Sequence, residues 1–146
     1  MAKPIPEGYT AVTPYLLVDD AVAEIDFLVQ GLGGTEVGRM PMPEPGKIAH
    51  AVVKVGGAPV MISSSGPWCA PMPAMIFVYV ADADATYARA AAFAGVTPQM
   101  PVADQFWGDR GGALKTKNGV TYWIATHKED LTPDQIAQRM AAAPKP

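Results

Sequence analysis

Apolar and polar positions along the chain keep two rhythms, and the switches between them mark the elements. Residues 10–18 (TAVTPYLLV) are an apolar run of strand length, followed by Asp19 and Asp20, good N-cap residues. From Ala21 the rhythm turns helical: Val22, Ile25, Val29 and Leu32 recur at helical spacing until Gly33-Gly34 stops them. Residues 35–42 predict a strand and Pro43 to Gly46 a turn. Residues 47–55, rich in β-branched side chains, predict a third strand, which Gly56-Gly57 turns into a fourth at 59–64. The first half reads β-α-β-β-β.

A proline-rich break, SGPWCAPMP at residues 65–73, precedes a second run of the same order. Residues 74–80 predict a strand, Asp82 a cap, and residues 83–94 a helix ended by Gly95. Three strands follow at about 97–103, 106–116 and 121–126, with Lys117-Asn118-Gly119 turning the chain before the last. A final helix at about 132–142 opens with Thr132 as cap, Pro133 at the first helical position and Gln135 completing a capping box. The halves align without a gap at an offset of 62 positions, the distance from Val18 to Val80. Identical pairs include Val18/Val80, Asp20/Asp82, Ala21/Ala83, Ala23/Ala85, Gly33/Gly95, Thr35/Thr97, Gly46/Gly108, Ala51/Ala113, Gly57/Gly119 and Ile62/Ile124. The matched caps Asp20/Asp82, helix-ending glycines Gly33/Gly95 and hairpin glycines Gly57/Gly119 punctuate structure, so the match reports a repeated structure. The expected organisation is one α+β domain with a first module at about 10–64, a linker at 65–73, a second module at about 74–126 and the C-terminal helix.

Bulk composition narrows the function. A net charge of −3 gives no basic surface for nucleic acid. No apolar run is long enough to cross a membrane, and the N-terminal residues lack the apolar core of a signal peptide. Cys69 is the one cysteine, so there is no internal disulfide, and a cytoplasmic protein is expected. Only 17% of residues are charged and eight are methionine, which points to an additional buried surface such as a homodimer interface.

The segments Val12-Thr-Pro-Tyr-Leu-Leu-Val-Asp-Asp20, Ile48-Ala-His-Ala51, Val60-Met-Ile-Ser63, Phe106-Trp-Gly-Asp-Arg110 and Trp123-Ile-Ala-Thr-His-Lys-Glu-Asp130, set in a paired β-α-β-β-β order, carry a resemblance. The chain resembles the vicinal-oxygen-chelate (glyoxalase/bleomycin resistance/dioxygenase) superfamily, and most of all its PhnB-like branch. The resemblance implies the glyoxalase/bleomycin-resistance fold, in which two curved half-sheets enclose a cleft and the protein is commonly a dimer. It does not imply a function, because the fold carries many. In metal-using members, His, Glu or Gln ligands come from the first and fourth strands of each module. Those positions fall here on Thr13, Met61, Met75 and Trp123, or one residue on at Ile62 and Ile124. Neither set supplies a ligand suited to Zn²⁺ or Ni²⁺, so no metal and no other cofactor is expected.

Period-two alternation puts Tyr15 and Leu17 on one face with Thr13, and Phe77 and Tyr79 with Met75. The expected ligand site is a cleft walled by Tyr15, Met61, Met75, Phe77, Trp107 and Trp123, with His50 or Arg110 as a polar contact at its edge. His50, Asp109 and Arg110 are the candidates for catalysis: His50 as a base, Asp109 and Arg110 as groups that grip a substrate. Trp68 and Cys69 lie in the linker, where a loop could cover the cleft. The leading expectation is a metal-free protein that binds a small apolar or aromatic molecule. The alternatives are an enzyme of lyase, isomerase or dioxygenase type with a relocated site, and a structural dimer whose cleft is filled by its own side chains.

Overall fold

Each half of the chain folds into a four-stranded mixed sheet, and the helices of both halves share the space between the sheets. The computed structural model describes residues 2–144. The first module comprises β1 (Tyr15–Val18), α1 (Ala21–Asp26), β2 (Thr35–Pro41), β3 (Ile48–Val55) and β4 (Ala58–Ser64). The second comprises β5 (Ala74–Tyr79), α2 (Ala83–Ala91), β6 (Thr97–Asp104), β7 (Asp109–Lys115) and β8 (Val120–His127), and α3 (Pro133–Ala142) ends the chain. The sheet orders are β1-β4-β3-β2 and β5-β8-β7-β6, with β1 and β5 parallel to their neighbours. The architecture is the α+β pair of βαβββ modules with a C-terminal helix that the repeat predicts.

The caps act as the sequence suggests. Asp20 accepts from the Ala23 amide and Asp82 from the Ala85 amide, opening α1 and α2 at equivalent positions. Thr132 and Gln135 form a complete capping box on α3. α1 widens into a π-helical turn over Phe27–Gly31, closed by the Leu32 amide on the Phe27 carbonyl. The first strand is shorter than its apolar run: Pro14 lends only its carbonyl, to Met61, and pairing begins at Tyr15. Residues 106–108 are likewise a turn rather than strand, closed by the Gly108 amide on the Gln105 carbonyl, with Gly108 at positive φ.

The ungapped repeat slips in one place. Tyr15 pairs with Met61 as Phe77 pairs with Trp123, so β1/β5 and β4/β8 keep the offset of 62. Ala51 faces Ile62, whereas Ile124 faces Gly112 and not Ala113. Two residues, Gly56-Gly57, close the first hairpin; the second closes around Lys117-Asn118-Gly119, with the Thr116 amide on the Val120 carbonyl. That extra turn residue shifts β7 by one, so the identity of Ala51 and Ala113 is not a structural equivalence.

One hydrophobic cluster runs through both modules. It takes Leu16, Val18, Val53 and Ile62 from the first sheet, Val78, Leu114, Tyr122 and Ile124 from the second, and Ile25, Phe27, Leu28 and Ala90 from the helices. Phe27 of α1 lies against Phe93 and Tyr122 of the second module, with ring centroids 5.8 and 5.0 Å away. Among these apolar groups sits the Glu24 carboxylate, 1% exposed. It accepts hydrogen bonds from Tyr122 Oη (2.7 Å), Thr116 Oγ1 (2.9 Å) and Asn118 Nδ2 (2.9 Å), all of the second module. Asn118 also exchanges two hydrogen bonds with the Asp20 backbone. The modules are therefore joined through their helix-bearing faces.

Candidate functional site

Because the helical faces meet in the shared core, the opposite faces of the two sheets point outward. Residues that alternate with the core positions occupy them: Tyr15, Leu17, Met61 and Ser63 on the first sheet, and Met75, Phe77, Tyr79, Trp123 and Ala125 on the second. Ile62 and Ile124 are fully buried in the core, which assigns the outward fourth-strand positions to Met61 and Trp123. A cavity of about 290 Å³ does lie between the modules, lined by Pro14, Val55 and Pro59 of the first and Ile76, Phe77 and Tyr79 of the second, but Phe77 is the one expected wall residue among its lining. The other expected walls are divided between the two sheets, Tyr15 and Met61 on the first, Met75 and Trp123 on the second.

On the first module, Tyr15 Oη lies 3.2 Å from His50 Nδ1. Beside them Tyr15, Leu17, Ser63, Trp68, Cys69 and Met72 line a cavity of about 300 Å³. The linker reaches this face because its Ser65 amide continues the β4 ladder onto the Val18 carbonyl and its Met72 amide bonds the Leu17 carbonyl on the other edge of β1. Trp68 and Cys69 are therefore wall residues of a pocket on one sheet. Ser63 Oγ is buried at its base and has no hydrogen-bond partner among the described residues.

On the second module the outward face is aromatic. Met75 is 62%, Phe77 44% and Tyr79 59% exposed, and beneath them lies Trp123, nearly parallel to Phe77 with centroids 6.2 Å apart. Trp107, from the β6–β7 turn, packs on Trp123, Ala113 and Ala125. The floor there is flat because Gly111 has no side chain: a Cβ would stand 2.9 Å from that of Ala125. The Trp123 indole N–H is buried without an acceptor among the described residues.

This face also holds the most concentrated polar chemistry. Asp109 is 3% exposed and accepts three hydrogen bonds: Tyr79 Oη and Trp107 Nε1 donate to Oδ2, each at 2.9 Å, and His127 Nδ1 lies 2.8 Å from Oδ1. Burial pushes the Asp109 carboxyl up, but donation from His127, Tyr79 and Trp107 outweighs it and holds the group below the usual carboxylate range. His127 Nε2 lies 3.0 Å from Asp130 Oδ1. Bonding to Asp130 and to Asp109 raises the imidazole above its ordinary range. Both ring nitrogens face carboxylate acceptors, an arrangement that favours the doubly protonated imidazolium over either neutral tautomer.

The other candidates are separated from this cluster. Arg110 points to the helical side of β7, its guanidinium held by Asp84 (2.7 and 2.8 Å) and Asp104 (3.1 Å), so the chain's own carboxylates already fill its fork. His50 is on the first module and Asp109 on the second. Sequence reading named Asp109 and Trp107 but not the bond between them, and it passed over Tyr79 and His127 as Asp109 partners. The signal was the period of two, since Asp109 and His127 are register partners.

The donor set tests poorly as a metal site. Met61 is on one outward face and Met75 and Trp123 are on the other; two thioethers, an indole and the Thr13 hydroxyl do not fit a hard or borderline divalent cation. Among the described residues no group of three or more His, Cys, Asp or Glu side chains is placed to hold one. No helix among them is long and apolar enough to cross a membrane.

A paired βαβββ scaffold with ligand-sized outward faces defines a class, and comparison with known proteins gives the family. The model of the Glyoxalase/Bleomycin resistance protein/Dioxygenase superfamily matches residues 9–124, and the chain belongs to that superfamily. A curated relative, the uncharacterized protein Mb0911c of Mycobacterium bovis, is 33% identical over 143 residues, spanning 90% of this chain and 93% of its own. Among solved structures, TioX from Micromonospora sp. ML1 is 28% identical with a TM-score of 0.66, over 81% of this chain and 98% of TioX. The putative 3-demethylubiquinone-9 3-methyltransferase, PhnB protein, from Bacillus cereus shares the fold at 17% identity and a TM-score of 0.60, over 80% and 99% of the two chains.

Proposed function

We propose that this protein is a metal-independent binder of small apolar or aromatic molecules, in a cleft completed by a second copy of the chain. The observation that carries the reading is the outward face of the second sheet, where Met75, Phe77 and Tyr79 stand exposed over Trp123. Exposed apolar groups set together on one sheet mark a surface that something covers. The equivalent face of the first module carries the 300 Å³ cavity beside Tyr15, a concave counterpart of ligand size. In a twofold dimer, the first module of one copy facing the second module of the other would give two identical clefts. Binding is favoured over catalysis because the candidate reactive groups are already engaged within the chain: Arg110 is held by Asp84 and Asp104, and Asp109 by Tyr79, Trp107 and His127. A cytoplasmic location is consistent with this role.

The test combines light scattering with tryptophan fluorescence. A dimer is expected at micromolar concentration, and a naphthalene-sized probe should quench Trp123 and Trp107. Phe77→Asp, which puts a charge on the exposed face, should weaken both dimer and quenching while the chain stays folded. A wild-type monomer whose tryptophans no aromatic probe perturbs would overturn the reading.

A further inference from the structure

We propose that His127 is the anchor for the carboxylate of an aromatic acid lying on the face of the second module, with Asp130 occupying the ligand's place until it arrives. The proposal rests on the reading of that face as a ligand surface and adds the chemical class of the ligand. Its basis is geometric. Tyr79 and His127 bond the two oxygens of one carboxylate, Asp109, so the imidazole adjoins the exposed ring of Tyr79 and, through it, Phe77 (centroid 5.0 Å) and Trp123. Asp109 is buried and fixed by three donors; it orients the ring and keeps Nδ1 protonated, as a positioning residue. Nε2–H is then the only donor of the cluster aimed away from Asp109.

The group that Nε2–H meets is a carboxylate of a different kind. The Asp130 side chain is fully exposed, stands on the segment between β8 and α3, and has no other hydrogen bond among the described side chains. A fixed imidazolium beside an aromatic shelf, capped by a loosely held carboxylate, is complementary to a planar ring bearing one carboxylate. An incoming acid would exchange Asp130 for itself at Nε2 while stacking on Phe77 and Tyr79. Neutral rings would gain the stacking and nothing from His127.

The experiment uses the full chain and two probes of equal size, 2-naphthoate and 2-naphthamide, titrated near pH 6 by calorimetry. An exposed charged pair is worth up to about fivefold in binding, so the wild type should prefer the acid by about threefold. Asp130→Ala should tighten the acid again by about threefold, by removing its competitor, and leave the amide unchanged. Asp134→Ala makes the same charge change nearby, in the first turn of α3, without touching His127 and should alter neither. His127→Asn, whose amide nitrogen can replace Nδ1 against Asp109, should abolish the preference and keep amide binding. If both probes bind but neither Asp130→Ala nor His127→Asn changes their ratio, the anchor is refuted and the aromatic surface stands. If neither probe binds the wild type, the surface reading falls and takes the anchor with it.

Discussion

The two modules share a pairing register and differ in what they carry on it. Tyr15 and Met61 on the first sheet occupy the places of Phe77 and Trp123 on the second, and Leu17 and Ser63 those of Tyr79 and Ala125. The inward faces have stayed alike, with Val18 and Ile62 matching Val80 and Ile124, because both must fit one core between the sheets. The outward faces have diverged. One carries a small cavity under a linker, the other an aromatic shelf around a buried carboxylate. The turns have diverged too. Among the described residues the tight Gly56-Gly57 hairpin makes no hydrogen bond to the second module, whereas the longer turn at Lys117-Asn118-Gly119 reaches α1 and bonds Asp20 and Glu24. Packing held the repeat together on one face and released it on the other.

Two neighbours on β8 give the sharpest test, since they project to opposite faces. Tyr122 is fully buried and bonds Glu24, so Tyr122→Ala should cost about 3–5 kcal/mol and strand a buried carboxylate. Trp123 faces outward under a partly open shelf, and Trp123→Ala should cost less, about 2 kcal/mol, despite removing the larger side chain. Urea unfolding of both variants decides the matter. If Trp123→Ala is the more damaging, the outward face is core and the asymmetry between faces disappears.

A second test acts within the outward face of the second module. Asp109→Ala leaves the Tyr79 hydroxyl, the Trp107 indole and His127 without their shared acceptor, and should cost about 1–3 kcal/mol. On the first module Tyr15→Phe removes only the contact with His50, at an exposed position, and should change the urea midpoint little. Equal losses would mean that the two faces are supported in the same way.

The fold was legible because its cues are local. Asp20, Asp82, Thr132, Gly33 and Gly95 announce element ends whatever the tertiary structure, and the period of two located the outward faces. What stayed hidden depends on the third dimension. Whether two modules face each other across a cleft or join through their helices is not a property of either module's pattern; Glu24 and Asn118 decide it through contacts between residues more than ninety positions apart. The slip of β7 escaped notice because an added turn residue after it is balanced before it, so no gap appears in the repeat. Asp109, His127 and Tyr79 form a cluster only once three strands align. In the sequence, Arg110 looked as available as Asp109, and only its pairing with Asp84 removes it.

The smallest expected effect concerns pH and separates the second module from the first. His127 titrates above its ordinary value in the folded chain, because Asp130 and Asp109 favour its charged form. Its contribution to stability is therefore fully present below the unfolded value of about 6.5 and is lost as pH rises through the folded one. Asp109 has the opposite sign: held below the usual carboxylate range, it contributes above about pH 4 and loses that contribution as pH falls through its folded value. The two contributions overlap between these limits, where the ionised Asp109 and the charged His127 are both favoured. Half of the His127 side chain is in water, so screening keeps the gain small. Between about pH 5.5 and 8.5 the urea midpoint of the wild type should fall more than that of His127→Asn, and the His127 ring proton should titrate later than that of an unperturbed histidine. If His127 titrates no later than an unperturbed histidine, Asp109 and Asp130 are not favouring its charged form, and the second module loses the charged feature that distinguishes its outward face from that of the first.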